Sequence, residues 1–128
     1  KKGNQIKEMS NERIARVWHG YTTYENALKY EMLLTNKIIP KIKTDSGKEH
    51  LLEVNIFKRN HKKQNEMEFL TILWFKNMNS IKKWFGNADN VFTKNDYTAA
   101  HIPYEARKLL KRWDEYATHY SLVHKSKI

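Results

Sequence analysis

Nothing in this chain constrains its fold more than Met67–Phe75, where only Glu68 and Thr71 interrupt an otherwise apolar run. A run this short and this uniformly apolar reads as a strand covered on both faces, and therefore central in a sheet. Its neighbours read the same way at lower density. Leu51–Arg59 is a second strand, joined to the first run by the polar hairpin loop Asn60–Glu66. Arg13–Tyr21 forms the opening strand, with Ile14, Arg16, Trp18 and Gly20 on one face and Ala15, Val17, His19 and Tyr21 on the other. Tyr116–His124 supplies a last strand, on which His119 and Tyr120 face opposite ways.

Helical periods separate these strands. Thr22 and Glu25 have capping-box spacing. They open a helix to about Ile38, striped by Tyr24, Ala27, Leu28, Leu34 and Ile38, with Pro40 expected to end it. Glu31 falls inside that stripe, where a carboxylate needs a partner or a route to water. Residues 41–50 read as a polar loop. Asn77–Ser80 cap a short helix with Ile81, Trp84 and Phe85 on one face and Gly86 just past its end. A long connection over 87–102 carries Phe92, Tyr97 and His101. Pro103 then opens a helix striped by Ala106, Leu109, Leu110, Trp113 and Ala117. Residues 1–12 form a loose polar tail, and 13–128 a single domain. The order β-α-β-β-α-(α)-β is that of an α+β, ferredoxin-like split βαβ fold: a four-stranded antiparallel sheet with helices on one face. The second face, bearing Trp18 and either Trp74 or Phe69 and Phe75 according to register, needs a cover: a second subunit, a ligand or nucleic acid.

Composition removes whole classes. With 128 residues there is room for one domain, and with no Cys there are neither disulfides nor thiolate metal sites. No apolar run reaches the ~18 residues of a membrane helix. A cytoplasmic protein is expected, although the chain begins at Lys1 and a trimmed leader also fits. The formal net charge is +10, but the basic residues are scattered and read as a solvated surface. No phosphate loop, nucleophile elbow or metal-spaced His pair is present.

Ile14-Ala-Arg-Val-Trp-His-Gly20, followed by Ala27-Leu28-x-Tyr30-Glu31, resembles the first strand and helix of antibiotic-biosynthesis-monooxygenase-like proteins. Phe69-Leu-Thr-Ile-Leu-Trp74 followed by Ser80-Ile81 resembles their third strand and next helix, and His119-Tyr120 their last strand. The resemblance covers about residues 13–124. It implies a homodimeric α+β barrel, with sheet packed on sheet and a pocket in each subunit between sheet and helices. It also implies cofactor-free oxygenation of polycyclic phenols, quinol chemistry or haem degradation. In the haem-degrading branch, Trp84 and Ala99-Ala100-His101 match the helical Trp and the His segment, at the longer separation of 17 residues. Trp18 departs from that branch by standing where an Asn is used. No cofactor is therefore expected, with haem as the alternative.

The expected ligand is a small planar aromatic or quinoid molecule held by Arg16, Trp18, Trp74, Trp84 and Phe92. Arg16 offers a fork for a carboxylate or phenolate. His19 and His101 are candidate bases, and His19 is expected to face the helices and pair with Glu31. Arg16 and Trp18 are expected on the opposite face, lining the barrel. A non-catalytic ligand-binding dimer uses the same pocket without chemistry. An RNA-recognition module shares the element order, but strand three lacks that module's basic residue and Gly, so nucleic acid is not the expected partner.

Overall fold

The computed structural model describes residues 13–47, 49–84, 97–100 and 102–128, with backbone only at 97–99. The expected tail 1–12, and with it Phe85, Gly86, Phe92 and His101, lie outside the described residues.

The chain runs β1 (Ile14–Thr23), α1 (Tyr24–Leu33), a wide helical turn (Leu34–Ile38), α2 (Ile39–Ser46), β2 (Leu51–His61), β3 (Glu66–Phe75), α3 (Met78–Trp84), β4 (Tyr97–Ala99), α4 (Tyr104–Arg107), β5 (Leu110–Trp113) and β6 (Tyr116–Ser121). The sheet order is β2-β3-β1-β6-β4, and β5 pairs with the far end of β1. Every pairing is antiparallel. The strands β2-β3-β1-β6 reproduce the four expected from the sequence, and β3 is internal as its apolar run requires. The fold is ferredoxin-like α+β, with two further short strands.

Three expectations about helices are corrected. The cap of α1 is Thr23, not Thr22; its hydroxyl accepts the Asn26 N–H, while Thr22 is still in the strand. Pro40 does not end the helix. The turn before it is widened, and the Ile39 N–H donates to the carbonyl of Leu34, five residues back. Pro40 is thus placed in the first turn of α2, where its missing N–H costs nothing. The Thr35 hydroxyl donates to the Glu31 carbonyl, which favours the local bend. The helix striped by Ala106 and Ala117 is also not formed beyond Arg107. Its Leu110–Trp113 segment pairs with Gly20–Thr22 instead. The ladder satisfies backbone groups that β1 would otherwise leave open at that end, and tertiary pairing overrides a helical pattern.

The register decides which side chains face the helices. Trp18 pairs with Thr71, Arg16 with Leu73 and Gly20 with Phe69. This face carries the core: Trp18, Tyr30, Leu34, Phe69, Ala106, Leu110 and Ala117 form one buried cluster. Leu51, Leu73, Phe75 and Ile81 form a second. Tyr30 meets Phe69 edge to face at 5.0 Å between centroids. The other face carries Ala15, Val17, His19, Leu70, Ile72 and Trp74. Arg16 and Trp18 therefore face the helices and His19 faces away, the reverse of the expectation. Trp18 is dry because Tyr30 of α1 and Ile102, Ala106 and Leu110 pack in its cluster. No helix among the described residues is long and apolar enough to cross a membrane.

Candidate functional site

The helix-side face of β1 and β3 does not pack completely against its cover. A small hollow of about 70 Å³ remains, lined by Arg16, Trp18, Tyr30, Leu34, Thr71 and Ala106, among others. Ile38, Ile39 and Ile42 reach the same hollow from the wide turn and α2. The three isoleucines share one direction because positions i, i+1 and i+4 fall on one face of a helix. Next to it, also bordered by Arg16, lies a larger cleft of about 400 Å³ with Lys37, Lys41, Asp45, Trp84 and Glu105 on its walls. Arg16, Ile38, Ile42 and Pro103 border both spaces, so they form the wall between them.

Arg16 is only 7% exposed. Its guanidinium lies 5.5 Å from the Trp84 ring centroid, and Trp84 stacks at 5.5 Å on Phe75. Burial lowers the Arg16 pKa to about 10, since low-dielectric surroundings disfavour the charged form. The group is still a cation at neutral pH. At the rim, Lys37 pairs with Glu105 at 2.7 Å and Lys41 with Asp45 at 2.9 Å. The Trp18 indole N–H donates to the Asp114 carbonyl at 2.8 Å, which fixes the ring across the floor of the hollow. Among the described residues, two buried side-chain oxygens lack a hydrogen-bond partner: Thr22 Oγ1 and Thr71 Oγ1. Thr71 is in the hollow.

The remaining candidates fall elsewhere. Trp74 is on the opposite sheet face, where its indole N–H donates to Asn55 at 2.8 Å. His19 is also there and does not meet Glu31. Its Nδ1 lies 2.7 Å from Asp114 Oδ2, which also accepts the His19 backbone N–H at 2.8 Å. Its Nε2 lies 3.6 Å from Glu68, whose other oxygen is 2.5 Å from His61 Nε2. Glu31 instead pairs with Lys58 at 2.8 Å, over the outer part of the sheet. The expected His19–Glu31 pair fails because strand register, not sequence proximity, chooses the partner. His119 takes the helix-facing side of β6, opposite Arg16, and is 9% exposed, whereas Tyr120 faces out.

Two functional candidates escaped the sequence reading. Thr71 carried a signal, as the lone hydroxyl in the apolar stretch Phe69–Phe75. Asp114 carried none, since its role depends on the β5–β6 turn returning to His19. Haem does not suit the residues present. Trp18 fills the floor, and the hollow's volume of about 70 Å³ is less than half of the ~150 Å³ that admits benzene. Among the described residues no group of three or more His, Asp or Glu is arranged to hold a metal.

No family model matches the chain, and neither does any curated protein. Among solved structures, it is similar to the crystal structure of a candidate antibiotic biosynthesis monooxygenase from Bacillus cereus. The two superpose with a TM-score of 0.54 at 10% identity, over 92% of this chain and 97% of the other. The chain has the fold of that protein. The likeness extends over nearly the whole length of both chains, so the sheet and the helices follow one shared architecture. At this identity the likeness concerns the fold alone.

Proposed function

We propose that the chain binds a small planar aromatic or quinoid molecule between its sheet and its helices, and oxidises it as a homodimeric, cofactor-independent monooxygenase-like enzyme. The observation that carries this reading is the hollow itself. A buried guanidinium, an indole and a threonine border an apolar space in a fold shared with a monooxygenase-like protein.

Cofactor-free oxygenation relies on the substrate as electron source. A ring-activated methylene loses a proton, the carbanion passes electrons to dioxygen, and loss of water leaves a carbonyl: CH2 and O2 become C=O and H2O. A fixed cation in a dry site stabilises the oxyanion onto which that charge delocalises, and Arg16 is such a cation. For the proton, His101 is the better candidate base. It follows Ala100 and precedes Ile102, and both line the hollow. His19 points to the other face.

That other face supports the homodimer. Trp74, Ala15 and Tyr120 form one cross-strand row, and Ile72 and Val17 lie beside it. Phe57 and Tyr120 are more than half exposed. A sheet face this apolar suits a second copy of itself.

The test is oxygen uptake with a panel of polycyclic phenols and quinols, together with light scattering. Uptake by a dimer is expected, with His101→Ala slower by about 10²–10⁴-fold. Trp74→Arg is expected to give a folded monomer. A wild-type monomer refutes the homodimer. Ligand binding without uptake refutes the oxygenation and leaves a non-catalytic binding protein.

A further inference from the structure

β2 is the outermost strand on its side of the sheet. It pairs with β3, and among the described residues no strand pairs with its other edge. That edge offers backbone N–H and C=O groups along the eleven residues Leu51–His61. Edges of this length are usually blunted by proline, by a bulge or by charge. β2 has no proline, and its irregularity is confined to Leu51–Glu53. Its charges are arranged in a particular way. Glu53, Asn55, Phe57 and Arg59 oppose Trp74, Ile72, Leu70 and Glu68, so all four project on the face away from the helices. Glu53 and Arg59 are both exposed. Glu53 accepts a bond from the Asn55 amide at 3.2 Å, and Arg59 has no ion pair among the described residues. Lys58, on the opposite face, is already held by Glu31.

We propose that β2 pairs edge to edge with β2 of a second copy, antiparallel, about a twofold axis at Ile56. Two rules select this register. Directly opposed residues in an antiparallel pair point to the same face, so a strand paired with itself opposes odd to odd and even to even. Ile56 is also the midpoint of Leu51–His61, so centring there pairs the whole strand. The result sets Glu53 against the partner's Arg59 and Arg59 against the partner's Glu53. Lys58 meets the partner's Val54, so no like charges are opposed. Phe57, 55% exposed, lies diagonal to the partner's Phe57 at ~7–8 Å, within reach of an aromatic ring. Sliding two residues either way sets Glu53 against Phe57 or His61 and loses both Glu–Arg pairs. Charges that keep other strands off this edge are thus satisfied by a copy of it. The helices of both copies then lie on one side and their apolar outer faces on the other. The pairing therefore goes beyond the face-to-face homodimer and leaves Trp74 and Tyr120 to it. It is the weaker contact, because a strand edge buries less surface than a sheet face.

Sedimentation of the full chain from about 10 µM to about 1 mM tests this, a range suited to a weak contact. The mass at the dilute end reports the face-to-face homodimer, and the edge is read from the change on concentration. The mass is expected to double and rise no further, while amide exchange in β2 slows. Glu53→Arg and Arg59→Glu are each expected to weaken the doubling at least about tenfold, since both ion pairs become repulsions. Both side chains are exposed, so neither change disturbs the core. The combined swap, Glu53→Arg with Arg59→Glu, is expected to restore the doubling. Non-specific charge effects give a different pattern. Glu53→Arg raises the net charge of +10 by two and Arg59→Glu lowers it by two, so the two variants would respond in opposite directions. Opposite responses, failure of the swap, or growth beyond doubling overturns the proposal. A dilute dimer that never doubles keeps the homodimer and overturns the edge. A dilute monomer that doubles, with the swap behaving as stated, keeps the edge and refutes the homodimer.

Discussion

Gly20 sits in the middle of β1 with Phe69 opposite it on one side and Trp113 on the other. A Cβ at this position meets Leu110 Cδ2 at 3.0 Å and the six-membered ring of Trp18 at 3.0 and 3.1 Å. Carbon atoms at rest lie ~3.5–4.0 Å apart, so Gly20→Ala puts three contacts about half an ångström or more inside that distance. The backbone is held by ladders on both sides and cannot withdraw. Leu110 and Trp18 are 7% and 8% exposed and have little room to move. Overpacking of this kind costs about 1–3 kcal/mol. The lost freedom of the unfolded glycine returns about 0.4–1 kcal/mol. The net expectation is a destabilisation of about 1–2 kcal/mol, or roughly 3–8 °C in Tm for a domain of this size. Thermal and urea melts followed by circular dichroism measure it. Combining Gly20→Ala with Leu110→Val removes one of the clashing methyls, so the pair is expected to cost less than the sum, by about 0.5 kcal/mol or more. A Gly20→Ala protein as stable as the parent, or strict additivity in the pair, refutes the reasoning.

Acid stability should depend on Glu66, whose carboxylate is held at a pKa of about 2, against an ordinary 4.5, by hydrogen bonds from Arg112 and Lys111 and by their charge. Because the folded value is the lower one, this contribution is complete above about pH 4.5 and fades as pH drops toward 2. Over that interval Glu66→Gln should lose less stability than the parent, and parallel acid melting curves would sink the idea. Asp114→Ala removes the acceptor of two bonds from His19 and should cost about 1–2 kcal/mol by denaturant melts, with Asp114→Asn recovering part; no loss in the alanine variant argues against the pair. Phe69→Ala empties a fully buried site beside Tyr30 and should cost about 3–5 kcal/mol, much of the ~5–15 kcal/mol a domain has; a loss under 2 kcal/mol would mean that the cluster collapses to fill the space.

Element order was legible in the sequence because its main signals are local. Met67–Phe75 announced an internal strand through its own composition, and it is one. Facing was not legible. Strand one carries apolar bulk on both sides, so nothing within Arg13–Tyr21 says which side meets the helices; pairing with Thr71 and Leu73 decides that. Arg16 and Trp18 were expected on the face away from the helices, and they border the hollow on the helix side instead. Trp74 has the same residue type as Trp18 and the opposite outcome, because one step along a strand reverses direction. Leu110–Trp113 shows the other limit. Its spacing suits a helix, yet a vacant stretch of ladder on β1 takes it as a strand, and no window of local sequence contains that information.

The wide turn over Leu34–Ile38 carries one residue more than an ordinary helical turn would hold. Each residue advances a helix by 100°. Deleting Thr35 or Asn36 would let the rod wind evenly, and everything beyond would rotate by more than a quarter of a circle. Ile39 and Ile42 would swing off the sheet, and Pro40 would meet the backbone it now avoids. The surplus residue thus works like a shim in a door frame: without it, the roof over Arg16 would no longer close.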